Sequence, residues 1–144
     1  QETFPRKVEK AEGKLRKGAA FVVLREDDHI LLRTRGEKGL LASMTEVPGS
    51  EWSAEYKEST ASAPMRGLKW RKVSGAVRHV FTHFPLELTV YFVRVPKKAG
   101  APKAMRFVPL DELDREALPS VMRKVIAHAL EFSSEPEFTR SKQE

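Results

Sequence analysis

The 144 residues contain no cysteine. That absence excludes a disulfide scaffold, a thiolate zinc site, an iron–sulfur cluster held by this chain and a cysteine nucleophile. Long hydrophobic runs are missing too. The longest, such as Ala19 to Leu24, fall far short of bilayer length, so no membrane partner is expected. With only 8 Gly and 9 Pro the chain is neither collagen-like nor of low complexity. What is there suits one globular domain: 40% hydrophobic and 32% charged residues, on a length that buries roughly 70% of its unfolded surface. Lys+Arg 26 against Asp+Glu 20 leaves a net charge of +6, which favours a polyanionic partner. The chain begins at Gln1 with no apolar stretch behind its basic residues, and it reads as a fragment or a processed chain.

Residues 1–17 carry six Lys/Arg and three Glu without a consistent apolar period, as a basic interdomain linker or arm does. The body runs from 18 to 132. Gly18 to Arg25 and His29 to Arg35, around the turn Glu26-Asp27-Asp28, predict a hairpin with at least one strand buried on both faces. Leu40 to Gly49 reads as extended up to a Pro-Gly breaker. Ser53 to Ala63 predicts a short helix with Ser53 as N-cap and Pro64 as its stop, and Gly67 to Trp70 a short strand. Ser74 to Phe81 and Leu86 to Val95 predict two strands around the tip Thr82-His83-Phe84-Pro85. Met105 to Val108 predicts a strand, and Pro109-Leu110-Asp111 a one-turn helix capped by Asp111. Val121, Met122, Val125, Ile126, Ala129 and Leu130 form one stripe of a helix over 120–132. His128 lies near the polar boundary of that stripe as a surface or packing residue. Residues 133–144 read as a flexible tail.

Mixed strands, two to three short helices and the stretch Leu40 to Gly49 resemble the Nudix fold, an α/β/α sandwich around a mixed sheet. The hydrolases of that fold carry Gly, five residues, Glu, seven residues, then Arg-Glu, an apolar residue, any residue, Glu-Glu, any residue and Gly. Mg²⁺ on a pyrophosphate needs those hard oxygen ligands and a base for water. Six positions beyond Gly49 stands Glu55, which fits; eight further stand Ala63 and Pro64 where Arg-Glu is required. No acid occurs between Glu58 and Glu87, so no shift of register restores the metal-binding half. His29, His79, His83 and His128 have no metal-motif spacing, and neither a nucleophile elbow nor a phosphate-binding glycine loop occurs.

Charge segregation remains. Arg66, Lys69, Arg71, Lys72 and Arg78 surround Trp70 without an intervening acid, and Arg94, Lys97, Lys98, Lys103 and Arg106 form a second such stretch. Cations of this kind supply salt-sensitive affinity for nucleic acid, or simply coat solvated strands. At the tip, alternation puts one or both of Phe81 and Phe84 toward the core, leaving Thr82 and His83 as the exposed groups able to read a base edge.

Three stretches taken together, Gly39 to Gly49, Val77 to Phe84 and Leu118 to Val125, resemble the C-terminal domain of the adenine DNA glycosylases of the MutY type. The resemblance implies a Nudix-like domain without hydrolase activity, consistent with the broken signature. It implies recognition of double-stranded DNA with 8-oxoguanine opposite adenine, while an N-terminal catalytic domain of the same protein excises the adenine. The family's 4Fe-4S cluster and excision residues belong to that N-terminal domain, so no cofactor, metal or catalytic residue is expected on this chain, and a bacterial, cytoplasmic, nucleoid-associated setting is implied. The family's Phe-Ser-His recognition loop maps onto Phe81, Thr82 and His83, with Lys69, Arg71 and Arg78 assigned to the DNA backbone. Since 8-oxoguanine gains an N7–H donor and an O8 acceptor, a hydroxyl beside a donor discriminates it from guanine by about 1–3 kcal/mol. Thr82 in place of Ser adds a methyl, and Thr45 stands where the family has Trp. The alternatives are a stand-alone divergent Nudix nucleotide-diphosphate hydrolase or binder, and an interaction module that docks through the basic leader. The broken signature has a direct test: with nucleoside triphosphates and Mg²⁺ the chain is expected to release no phosphate above the uncatalysed rate, and turnover would require metal ligands outside the signature.

Overall fold

The computed structural model describes residues 13–36 and 39–133. The leader up to residue 12 and the tail from 134 onward, assigned above to an arm and a flexible terminus, lie outside the described residues. The order is β1 (Arg16–Arg25), β2 (His29–Thr34), β3 (Thr45–Glu46), β4 (Arg71–Val80), β5 (Pro85–Val95), β6 (Met105–Pro109), a 3-10 helix (Leu110–Arg115) and α1 (Ser120–Ser133). The first strand thus starts two residues inside the expected linker, at Arg16.

Ala19 to Leu24 has no polar side to offer water, and β1 accordingly lies inside the sheet, buried on both faces. It pairs in parallel with β5, from Arg16 opposite Leu86 to Arg25 opposite Val95. The hairpin to β2 forms as expected, with Leu24 opposite Ile30. The sheet runs β3-β2-β1-β5-β4, and β6 takes the other edge of β2. Farther toward its start, β1 is paired by Gly49 (to Ala20) and Ser53 (to Lys17). Gly49 suits that approach, since a Cβ there would run into the Ala19 carbonyl oxygen.

The stripe of α1 buries Val121, Met122, Val125, Ile126 and Ala129 against Val73, Val77, Leu86, Leu88, Val90 and Phe92 of β4 and β5. β5 has nearly the extent the alternation predicts, whereas β4 starts three residues earlier than expected, at Arg71, ends at Val80, and is interrupted by a bulge between Lys72 and Ala76 where Gly75 takes φ 82°. His128 closes this bulge: its Nε2 lies 2.9 Å from the Ser74 carbonyl and 3.1 Å from that of Gly75.

The opposite face differs from expectation. No helix forms over 53–63. Lys-Glu-Ser-Thr-Ala-Ser-Ala offers no large apolar residue with which to bury a helix face, and its hydroxyls compete for backbone bonds. Ser53 is drawn to the sheet instead, exchanging backbone hydrogen bonds of 3.0 Å with Lys17 in both directions. Nor is Gly67 to Trp70 a strand. It is irregular, and Trp70 sets its ring 5.2 Å from Phe21, which stacks on Tyr91 at 5.3 Å. Met65 and Leu68 lie over Val23, Leu31, Val93 and Val95. An irregular cover therefore does on this face what α1 does on the other.

Leu40 to Gly49 is extended only in its second half, because Leu41 and Ser43 take positive φ in a turn. Asp111 does not cap the short helix. Pro109 occupies that position, and no side chain bonds the exposed amides. None of the described helices is long and apolar enough to cross a membrane.

Phe21 is fully buried between two rings. Phe21→Ala is expected to cost about 3–5 kcal/mol, read as a lowered urea midpoint with an unchanged slope.

Candidate nucleic-acid interface

The turn from β4 to β5 is closed by the Phe81 amide donating to the Phe84 carbonyl at 2.9 Å, which leaves Thr82 and His83 at the apex. Both apex residues are exposed, Phe81 is half-buried and Phe84 is buried. The chain reverses between Phe81 and Phe84, so both aromatics face down while the hydroxyl and imidazole at the apex face up.

The floor beneath the apex is aromatic. The Phe81 ring lies 5.2 Å from Phe84, 4.6 Å from the edge-on His79 ring and 5.9 Å from Trp52, on which it stacks. The Arg16 guanidinium covers the Phe84 ring at 4.0 Å, and that of Arg35 faces Trp52 at 5.0 Å. Trp52 and the two arginines continue into a cleft of about 500 Å³, also lined by Arg33, Thr34, Gly36, Glu46, Gly49 and Ser50. Glu46 holds its two flanking arginines in place. Its oxygens accept from Arg33 Nε and Arg35 Nη1, each at 2.7 Å, and its side chain is only 7% exposed. Arg33 Nη2 also donates to the Gly49 carbonyl at 3.1 Å, and Arg35 Nε to that of Leu40 at 3.1 Å.

Residues assigned to the DNA backbone are not brought together. Lys69 and Arg71 are exposed, but Arg71 opens β4 and Lys69 precedes it, about 30 Å from the apex at the rise of an extended strand. Arg78 is near the apex yet paired with Glu87 across the hairpin, at 2.9 Å from Nη2. Within the two acid-free stretches, Lys72 pairs with Glu58 at 2.7 Å. Arg106 reaches Thr34, Thr45 and Glu116. Chain continuity concealed these pairings, since each acid comes from another strand or loop. Arg16 lies over the Phe84 ring of the turn, and Arg33 and Arg35 line the cleft reached through Trp52; sequence reasoning missed all three. A signal was available: Arg33 and Arg35, two apart at the end of an apolar strand, must share a face.

Thr45, where a Trp was expected from the resemblance, is 5% exposed and donates to Glu116 Oε1 at 3.0 Å. A small hydroxyl at this position makes room for the Arg106–Glu116 pair between β6 and the segment after the short helix.

The Mg²⁺ site of Nudix hydrolases does not fit these residues. Glu55, which satisfies the first half of the signature, accepts from Ser53 Oγ at 3.0 Å, and Glu58 is taken by Lys72. Among the described residues no group of three or more His, Cys, Asp or Glu is placed to hold a metal ion.

Lys124 of α1 supports the loop from below, approaching the Arg78 carbonyl at 3.3 Å and His79 Nδ1 at 3.1 Å. Burial, and then the Lys124 charge, hold the His79 pKa below its ordinary 6.5. The unfolded chain therefore takes up this proton more readily than the folded one. The corresponding stability is fully present above about 6.5 and is lost as pH falls through the folded value. His79→Phe, which keeps a ring edge on Phe81, is expected to lose less stability than the parent between about pH 7 and about pH 5, measured by denaturant unfolding. Parallel profiles would refute the assignment.

Comparison with known proteins places these features. The family profile described as NUDIX domain matches residues 19–128. Among solved structures, the C-terminal domain of mouse MUTYH, determined in complex with human PCNA, is similar at a TM-score of 0.67 and 21% identity, over 81% of this chain and 88% of that one. A MutT protein from Methanosarcina mazei is similar at 0.61 and 17%, over 94% and 100%. The NUDIX domain of Shewanella oneidensis NrtR, complexed with ADP ribose, is similar at 0.59 and 12%, over 90% and 92%.

Proposed function

The chain belongs to the NUDIX domain family, and from that premise we propose that it is a lesion-recognition domain of an adenine DNA glycosylase, reading 8-oxoguanine opposite adenine and not itself performing excision. One observation carries the reading: Thr82 and His83 stand exposed on a turn whose flanking aromatics are anchored below them. A base-reading group must be accessible and must also be held still, because an unrestrained loop spends its interaction energy on ordering. Thr82 supplies a hydroxyl that accepts from the N7–H of the oxidised base or donates to O8, and the imidazole of His83 is the second polar group. Phe81 supports the turn. The similarity to the mouse MUTYH domain agrees with this reading, as does a signature whose acidic half is missing.

In this role the chain acts beside a catalytic domain that carries the iron–sulfur cluster and the excision residues. Recognition by tethering raises the local concentration of the apex at the lesion, so a modest affinity of the domain suffices.

The test is a ratio of affinities. Duplexes with 8-oxoguanine opposite adenine and with guanine opposite adenine are titrated against the parent chain and the Thr82→Ala/His83→Ala double variant. The lesion preference is expected to fall roughly tenfold, with affinity for the undamaged duplex nearly unchanged. Equal losses on both duplexes would overturn the reading.

A further inference from the structure

The cleft that Trp52 joins to the apex turn has a selective chemistry of its own. Arg16, Arg33 and Arg35 line it, against Glu46 and Glu51. Two of the three guanidinium groups are immobilised. Glu46 and the carbonyls of Gly49 and Leu40 engage Nε and Nη2 of Arg33 and Nε and Nη1 of Arg35. Arg33 Nη1 and Arg35 Nη2 retain N–H donors beyond those bonds. Their side chains are 31% and 26% exposed, so these donors are reachable from the cleft. Arg16, exposed and lying over Phe84, provides a third cation on the side nearest the apex. Planar, fixed guanidinium donors around a residual positive charge suit a tetrahedral oxyanion, and ordering them has already been accomplished by folding.

We infer that this cleft binds a backbone phosphate of the same DNA strand whose damaged base the apex reads, with Arg16, Arg33 and Arg35 as its donors. The inference rests on the lesion-recognition reading for its choice of strand. Spacing favours that strand. Phe81 under the apex is one ring contact from Trp52 (5.9 Å) and Trp52 one from Arg35 (5.0 Å). Since successive phosphates of one strand advance by about 3.4 Å along the axis, this span corresponds to roughly one to three nucleotides. Trp52 forms the wall between the two functions: it packs on the base-reading turn and on the phosphate-binding arginine.

The test uses the chain, short duplexes with and without 8-oxoguanine, and free 8-oxo-dGMP as the small-molecule probe. On titration with either duplex, the Arg33 and Arg35 Nε–H signals and the Trp52 indole signal are expected to shift in NMR spectra. Arg16→Ala, at an exposed position, is expected to weaken both duplexes by the same factor and to lower the slope of log K against log salt by about one unit. Arg35→Gln should do the same, with unfolding midpoints recorded for both variants. Unchanged slopes in both variants, or arginine and indole signals that do not move, would overturn the cleft assignment. That result leaves base reading intact if Thr82→Ala/His83→Ala still erases the lesion preference. If the slope falls with Arg16→Ala but the double variant keeps its lesion preference, the phosphate site stands and the base-reading role fails. Binding of 8-oxo-dGMP at the cleft at least as tight as duplex binding would overturn the strand assignment in favour of a free nucleotide.

Discussion

Parallel pairing of β1 with β5 is the constraint on which the rest of the molecule depends. It joins residues 16–25 to residues 85–95 across a large separation in sequence, and it can exist only because both strands are apolar enough to be covered on both faces. One edge of that pair sets β4, and with it the β4–β5 turn; the other sets β2, and with it Arg33 and Arg35. Arg16 opens β1 opposite Leu86, two residues past Phe84. The register that buries Ala20 against Val90 and Val22 against Phe92 therefore also brings the Arg16 guanidinium over the Phe84 ring. A slip of one residue would turn each side chain to the opposite face and dismantle this contact in the same step.

Given that frame, rings support the turn from below. The turn is closed by the backbone bond from Phe81 to Phe84 and carries two exposed polar residues at its apex. Phe81 supplies that support through three ring neighbours, of which Trp52 belongs to the chain segment paired to the start of β1 and His79 is backed by Lys124 of α1. Every layer of the fold thus contributes one contact beneath Thr82 and His83. The apex is consequently sensitive to substitutions at positions that touch no ligand.

What could be read in the sequence followed from burial. The β1–β2 hairpin, the extent of β5, the existence of β4 and the stripe of α1 are all consequences of periodic apolar residues, which a linear reading detects. The failures share a different cause. Ser53 to Ala63 carries a cap, a stop and adequate length, but a helix there has no apolar face to bury, and the Ser53 backbone gains more by pairing with Lys17. Arg78, Lys72 and Arg106 look unopposed along the chain because Glu87, Glu58 and Glu116 reach them only through the fold. Charge partners are tertiary facts, and counting acids within a window misses them. Arg16, Arg33 and Arg35 were overlooked for the converse reason: acids lie close by in sequence, and only the fold shows that Glu46 positions two of these arginines without spending all their donors.

Glu46 explains how such a cluster can exist at all. Two guanidinium groups forced together at the end of β2 would repel each other and destabilise the sheet edge where β3 is only two residues long. A nearly buried carboxylate with one oxygen for each removes that repulsion, and the pairs are short and charge-assisted. The same carboxylate halves the local charge. An oxyanion at the cleft would meet fixed donors but only a modest net attraction, enough on the proposed reading to orient a strand without gripping it tightly. On that same reading, preference for one damaged base rests on the apex, where a weak pull and a rigid mount would leave a single hydrogen-bonding difference large enough to matter.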